Sequence, residues 1–173
     1  MNMPITSEIL KKYPNTIFIE TGSYMGDGIQ SALDAGFKII YSIELSNKWQ
    51  SYCINRFKNN SKVNIILGES QKVMNNIIKN INNSITFWLD GHYSGPHTAM
   101  GEYESPLIQE LHIIGEHSIK THTILIDDLR CWHVADHGFD TEILKLECLK
   151  INKEYHFGFE NGIIDNDILV AFI

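Results

Sequence analysis

Cysteine is scarce in this chain. Cys53, Cys131 and Cys148 are three in number and lie far apart, so they argue against a disulfide framework and for reduced thiols in a cytosol-like, cytoplasmic setting. Closely spaced Cys pairs of the kind that build zinc sites are absent as well. Basic residues are few: 14 Lys and Arg stand against 21 Asp and Glu, for a formal charge of −7. No stretch gathers them into a patch, so a nucleic-acid partner is not expected. Long apolar runs are missing too. No window approaches the roughly 20 apolar residues of a membrane span, and the opening MNMPITSEILKKYPN has no apolar core behind a basic head. The expectation is a soluble, unprocessed protein with no membrane partner. No linker, repeat or low-complexity tract interrupts the chain.

What is present is enough apolar material, 43% of 173 residues, for one domain spanning 1–173 with a sizeable core. Runs rich in β-branched residues alternate with amphipathic segments, which argues for an α/β fold of parallel strands joined by helices. Strands are expected at 16–21, 38–43, 63–67, 84–90 and 123–128, all read as buried central strands. Helices fit about 26–36, 46–59, 69–81, 104–119 and 140–152, the last capped by Asp140 or Thr141. Two further strands, near 154–160 and 167–173, close the chain. Trp49 and Trp88 fall in apolar helix and strand patterns and read as core.

The first expected strand ends in Glu20 and enters Thr21-Gly22-Ser23-Tyr24-Met25-Gly26-Asp27-Gly28. Glycines at such a turn let backbone approach a ligand. A dinucleotide site needs Gly-x-Gly-x-x-Gly so that a pyrophosphate can rest on the helix amino terminus. Here the spacing is Gly22-x-x-x-Gly26-x-Gly28 behind an acid, which repels phosphate and suits an ammonium group. A second acid, Glu44, follows Gly22 by 22 residues, close to the roughly 20 expected of a ribose-binding carboxylate. Glu69 and Ser70 stand after the third strand; both also serve as an ordinary helix start.

This pattern resembles the E/D-x-G-x-x-x-G-x-G signature of class I S-adenosylmethionine-dependent methyltransferases. The resemblance covers the chain from about residue 15 and implies a doubly wound, seven-stranded Rossmann-like sheet whose last strand is antiparallel. It implies S-adenosylmethionine as cofactor. Glu20, Gly22, Ser23, Gly26, Asp27 and Gly28 would lie at the methionine end, Glu44 at the ribose, and Glu69 and Ser70 near the adenine.

Acids also end the fourth and fifth strands: Asp90, then Asp127 and Asp128. Ligands gather at the carboxyl ends of parallel strands, and three carboxylates there need a cation or protons to offset their repulsion. An all-oxygen set suits Mg²⁺ or Mn²⁺ better than zinc; the bland alternative is helix capping or pairing with surface Arg. The arrangement resembles catechol O-methyltransferase and, more closely, the macrocin-type sugar O-methyltransferases, which makes Asp90, Asp127 and Asp128 the implied metal ligands. His92, two residues after Asp90, is a general-base candidate beside the catalytic Asp90. The sugar enzymes resembled place their His one position later, where Tyr93 stands here. Cys131, His133 and His137 raise zinc as a weaker alternative.

Together these readings imply metal-dependent O-methylation of a diol-bearing acceptor, a sugar or glycan first and a catechol next. Because the first strand begins near residue 16, no extra amino-terminal helices cover the site; a bulky acceptor, a second copy or a partner subunit would fill that opening. Two rival readings are a metal-dependent hydrolase, which leaves the Gly22 loop and Glu44 without a role, and a nonenzymatic S-adenosylmethionine-binding module, which leaves the aspartates and His92 without one.

Overall fold

The computed structural model describes residues 5–93, 95, 98–132 and 140–173. A short helix α1 (Ser7–Lys12) precedes β1 (Ile17–Thr21), and the chain then alternates through α2 (Asp27–Ala35), β2 (Ile39–Glu44), α3 (Asn47–Phe57), β3 (Val63–Leu67), α4 (Ser70–Ile78) and β4 (Ile85–Leu89). It continues through α5 (Leu107–Glu116), β5 (Thr123–Ile126), α6 (Leu129–Trp132) and α7 (Thr141–Ile151), and closes on β6 (His156–Glu160) and β7 (Ile168–Phe172). The seven strands form one sheet in the order β3-β2-β1-β4-β5-β7-β6. Strands β1 to β5 run parallel, and β7 is antiparallel to both β5 and β6. This is the expected mostly parallel, seven-stranded Rossmann-like sheet.

Alternation along the strands divides the core into two layers. Phe18, Trp88 and Leu125 point to one side, where Ile9, Leu10, Ile29 and Phe57 of α1, α2 and α3 cover them. Ile19, Phe87 and Ile124 point to the other, beneath Met74, Leu111 and Leu144 of α4, α5 and α7. Both faces of the central strands are therefore dry, which is why they read as unbroken apolar runs. Burying side chains such as Phe18, Phe87 and Trp88 contributes roughly 1.5–3 kcal/mol each to folding.

Helix ends follow local chemistry. Asp140 accepts from the Ile143 amide at 2.8 Å to start α7, which settles the choice between Asp140 and Thr141. Gly36, at φ 98°, closes α2 by turning its N–H back to the Ala32 and Leu33 carbonyls. The expected helix at 104–119 begins only at Leu107, after Pro106, because the residue before a proline is pushed out of helical geometry.

Three expectations need correction. β3 is not a buried central strand: it forms one edge of the sheet, and Leu67 is 42% exposed. α1 precedes β1 where no element was expected; at six residues it is too short to show a helical period. Thr6 caps it and buried Ile9 and Leu10 dock it against α2. β5 stops at Ile126 rather than 128, because Asp128 takes the left-handed φ of 59° and leaves the ladder. Among the described residues no helix is long and apolar enough to cross a membrane.

Register positions the site. Thr21 is level with Ile43 on one side and Leu89 on the other, and Leu89 is level with Ile126. The chain leaves β1 toward β2 and returns to β4 on the opposite side, so a crevice opens between β1 and β4, where this class of sheet collects ligands. The loops carrying Gly22, Asp90 and Asp127 all begin at that crevice.

Candidate active site

A cleft of about 330 Å³ lies over these strand ends, within the usual size range of small-ligand sites. Gly22, Glu44, Glu69, Ser70, Asp90, His92, Asp127 and Asp128 all line it. Of the residues the sequence singles out, Glu20, Ser23, Gly26, Asp27 and Gly28 lie outside the lining and shape the loop instead.

The loop is built against its surroundings. Gly22 has φ 86°, and a Cβ there would sit 2.6 Å from the Asp90 carbonyl oxygen, so no side chain fits between the β1 and β4 loops. Gly26 is the left-handed N-cap of α2. Glu20 is buried beneath the loop: the Ser42 hydroxyl donates to Oε1 at 2.5 Å, and Ser42 in turn pairs with Ser23. Its Oε2 occupies the space that a side chain at Gly28 would fill. Burial pushes Glu20 up to about 8, and the neighbouring Glu44 charge adds to the rise, so near neutral pH the carboxyl is mainly protonated. Asp27 faces outward, held 2.7 Å from Arg56, which also donates to the Met25 carbonyl.

Glu44 is different. The Tyr24 amide donates to its Oε2 at 2.8 Å and the Ser46 amide to its Oε1 at 2.7 Å. Two backbone donors fix the carboxylate while lone pairs remain on both oxygens for a ligand diol. Tyr24 and Trp49 pack with ring centroids 4.4 Å apart and both line the cleft beside it. Trp49 is therefore a site residue and not core, whereas Trp88 is fully buried as expected. Glu69 precedes α4 and accepts from Lys72 at 2.6 Å, from Gln71 and from the Glu102 amide. The Lys72 ammonium and the Glu102 amide hold its carboxyl below the usual range. That Glu69–Glu102 bond ties the β4–α5 connection to the rim. Thr98, Gly101, Tyr103 and Pro106 from this connection form one wall of the cleft.

Across the cleft, one oxygen each of Asp90, Asp127 and Asp128 lies within 4.8 Å of the others. Burial pushes Asp127 up to about 8, helped by the Asp128 charge, and raises Asp90 well above the carboxylate range, helped by Asp127 and Asp128. Asp128 goes the other way. Burial opposes its ionisation, but His92 and Arg130 outweigh burial and hold it low. His92 Nε2 is 3.0 Å from Asp128 Oδ2 and its Nδ1 is 3.6 Å from Asp90 Oδ1. Arg130 sits 2.5 Å from Asp128 Oδ1 and also pairs with Asp167. Two strongly raised acids in contact are the signature of a place that takes either protons or a cation. All-oxygen donors at this spacing fit a hard dication.

Three residues at or beneath the cleft escape the sequence reading. Glu110 is 1% exposed, and a Cβ on Gly91 would lie 3.3 Å from its Oε1 and 3.1 Å from Thr21 Oγ1. Burial pushes it up to about 7 against the pull of Ser70 and Thr21. A signal was there: Leu107, Glu110, Leu111 and Ile114 are the buried residues of α5, at i, i+3, i+4 and i+7, so the pattern itself places this acid in an apolar stripe. Arg130 follows the acidic pair by two residues, where a lone basic residue reads as an ordinary surface charge. Asp167, fully buried before β7, comes from 37 residues away and carries no local signal. His133 and His137 lie outside the described residues.

The same architecture occurs in solved structures. One, from Streptococcus mutans, is titled provisionally as a methyltransferase in complex with SAH; it is 14% identical, with TM-score 0.61, over 100% of this chain and 99% of that one. An rRNA methylase from Streptococcus thermophilus is 13% identical, with TM-score 0.58, over 99% and 96%. A Staphylococcus aureus protein provisionally titled a caffeoyl-CoA O-methyltransferase is 14% identical, with TM-score 0.59, over 98% and 85%. The chain has the fold of these methyltransferase structures. No protein-family model matches it, and no curated protein does.

Proposed function

We propose that this protein is an S-adenosylmethionine-dependent methyltransferase that methylates an acceptor hydroxyl held on Mg²⁺ or Mn²⁺. The observation that carries the reading is that one cleft holds both a backbone-fixed carboxylate, Glu44, and the converging set Asp90, Asp127 and Asp128. A hydrolase built on the aspartates gives Glu44 no task, and a simple cofactor-binding module gives the aspartates none.

Cofactor binding falls to Glu44 at the ribose hydroxyls, to the Gly22 backbone at the amino-acid head, and to Glu69 and Ser70 at the base. Glu20 acts beneath the loop: its buried carboxyl accepts from Ser42 and packs against Gly28 at the start of α2, supporting the turn that carries Gly22. Asp90, Asp127 and Asp128 would hold the dication in the cleft, so that an acceptor hydroxyl bound beside them would be positioned for attack. When bound, the dication supplies a lowered hydroxyl pKa and S-adenosylmethionine an already activated methyl group. His92, which lines the cleft with Nε2 3.0 Å from Asp128, is the side chain placed to take the hydroxyl proton.

The acceptor favoured by this arrangement is a vicinal diol of a sugar or glycan, with a catechol next. An rRNA methylase stands among the similar structures, but a chain of charge −7 whose cleft gathers carboxylates repels a polyanion. The test is calorimetric titration with S-adenosylhomocysteine, with and without Mg²⁺, followed by a screen of sugars, catechols and RNA for metal-dependent product formation. Cofactor binding with Mg²⁺-dependent turnover of a diol supports the reading. Tight NAD binding without S-adenosylhomocysteine binding, or undiminished turnover in excess chelator, refutes it.

A further inference from the structure

The oxygen cluster is not the only donor set at these strand ends. His92, Asp128 and Cys131 each offer one ligand atom within 4.8 Å of the other two, and none of the roles above uses Cys131. The chain brings them together by a tight turn. Asp128 leaves β5 at φ 59°, and the Cys131 amide donates to the Asp128 carbonyl at 2.7 Å, so α6 folds Cys131 back toward its own turn. Arg130 engages Asp128 Oδ1, while Oδ2 faces His92 Nε2 at 3.0 Å. One carboxylate oxygen, one imidazole nitrogen and one thiol thus converge on one side of Asp128.

We infer that this protein carries a second, mutually exclusive metal site in which His92, Asp128 and Cys131 bind Zn²⁺. The chemistry differs from that of the aspartate set. Nitrogen, oxygen and sulfur donors suit a borderline-soft tetrahedral ion, whereas three carboxylates suit a hard one. Zinc bonds of about 2.0–2.3 Å space donors by roughly 3.3–3.8 Å, so closing the set takes side-chain shifts of about 1 Å. On binding, the Cys131 thiol gives its proton to solvent, and His92 moves its proton from Nε2 to Nδ1. Thiolate and carboxylate then balance the dication, and a water completes the tetrahedron, leaving the ion exchangeable. The two sets share Asp128, and the zinc set also takes His92. Zinc therefore opposes the activating ion and inhibits methyl transfer. That inhibitory consequence rests on the function proposed above; the site itself does not.

The test uses the full chain and Co²⁺ as a spectroscopic stand-in for Zn²⁺. Titration should produce a near-ultraviolet thiolate-to-cobalt charge-transfer band that Zn²⁺ abolishes stoichiometrically and that Mg²⁺, competing through Asp128, reduces only in large excess. The band should be lost in Cys131→Ser and kept in Cys148→Ser. Independently, Zn²⁺ should slow alkylation of Cys131 in the unaltered protein, read by peptide mapping, with Mg²⁺ without effect; this arm holds even if the variants do not fold. Zinc inhibition of turnover should weaken by about tenfold or more in Cys131→Ser, the scale at which disturbed ligation typically shows. A missing band, a band that survives Cys131→Ser, or alkylation unaffected by Zn²⁺ overturns the inference. Turnover that ignores Mg²⁺ while the cobalt band persists refutes the proposed function and leaves this site standing.

Discussion

Replacing Glu44 separates a binding carboxylate from a merely structural one. In the folded chain its two oxygens each accept one backbone N–H, from Tyr24 at 2.8 Å and Ser46 at 2.7 Å. Glu44→Ala removes both acceptors together with the proposed bonds to the ribose hydroxyls. Hydrogen bonds to a charged group contribute about 1.5–3 kcal/mol, and part of the loss at the amides is returned by water entering the opened space. The expected penalty on S-adenosylhomocysteine binding is therefore about 1–3 kcal/mol, or about a 5- to 140-fold weaker Kd. Glu44→Gln is the sharper probe. Its carbonyl can satisfy one of the two amides, but its NH₂ then faces the other, donor against donor, and the group no longer accepts on both sides. Gln should consequently recover little of the affinity, unlike the near-complete rescue expected if only bulk mattered. The assay is calorimetry at fixed Mg²⁺, with thermal unfolding of the ligand-free variants to confirm that the Tyr24 turn survives. Affinity within twofold of the parent in both variants, with intact folding, would refute the ribose assignment.

Chelation should abolish turnover while leaving S-adenosylhomocysteine affinity largely intact, and Asp127→Asn should do the same; retained activity in both would make the carboxylate cluster structural. His92→Ala should lower turnover by roughly 10²- to 10⁴-fold with little change in cofactor Kd, and a loss below about tenfold would return His92 to acceptor binding. Glu110 is held near 7 by burial against an ordinary 4.5, so its contribution to stability is complete below about pH 4.5 and is lost as pH rises through about 7. Glu110→Gln, which mimics the neutral acid, should flatten that part of the pH–stability curve and leave the variant more stable than the parent at pH 8 by about 3 kcal/mol at most; identical denaturation curves at pH 8 would show that Glu110 is already ionised at no cost.

The parts of this molecule legible in its sequence are those set by local pattern. β1, β2, β4 and β5 are apolar on both faces because helices cover both, and that leaves a run visible without any knowledge of neighbours. β3 defeats this logic: VNIIL has the composition of a central strand, yet its place at the edge follows from the crossover back to β4, which no local window contains. The aspartates were found because strand ends are themselves legible. An aromatic on an amphipathic helix looks the same whether it meets the core or a cleft, and only the folded chain, which sets Trp49 beside Tyr24 in the cleft lining, distinguishes the two. Glu20 was expected at the cleft and lies beneath its loop, since strand alternation sends it to the side of Phe18 and Ser42 while Thr21 turns to the other.

The site's two halves are stabilised by opposite means, and that contrast bears on what each can bind. Glu44 is held by neutral backbone donors, which fix it without cancelling its charge, as a carboxylate that must accept from ligand hydroxyls requires. Asp128 is held by Arg130 and His92, which lower the cost of crowding three acids but also compete for the oxygens a metal would use. Arg130 can stand there because Asp167, fully buried at the start of β7, accepts from both its guanidinium and its backbone amide. The antiparallel terminal pair thus anchors a cation beside the carboxylates while Asp90 and Asp127, the two raised acids, remain the members with least cationic help. In the proposed metal site a dication would gain most from those two, with Asp128 as the third ligand. Removing Asp127 should therefore weaken Mg²⁺ binding more than removing Asp128, whose charge Arg130 already shares.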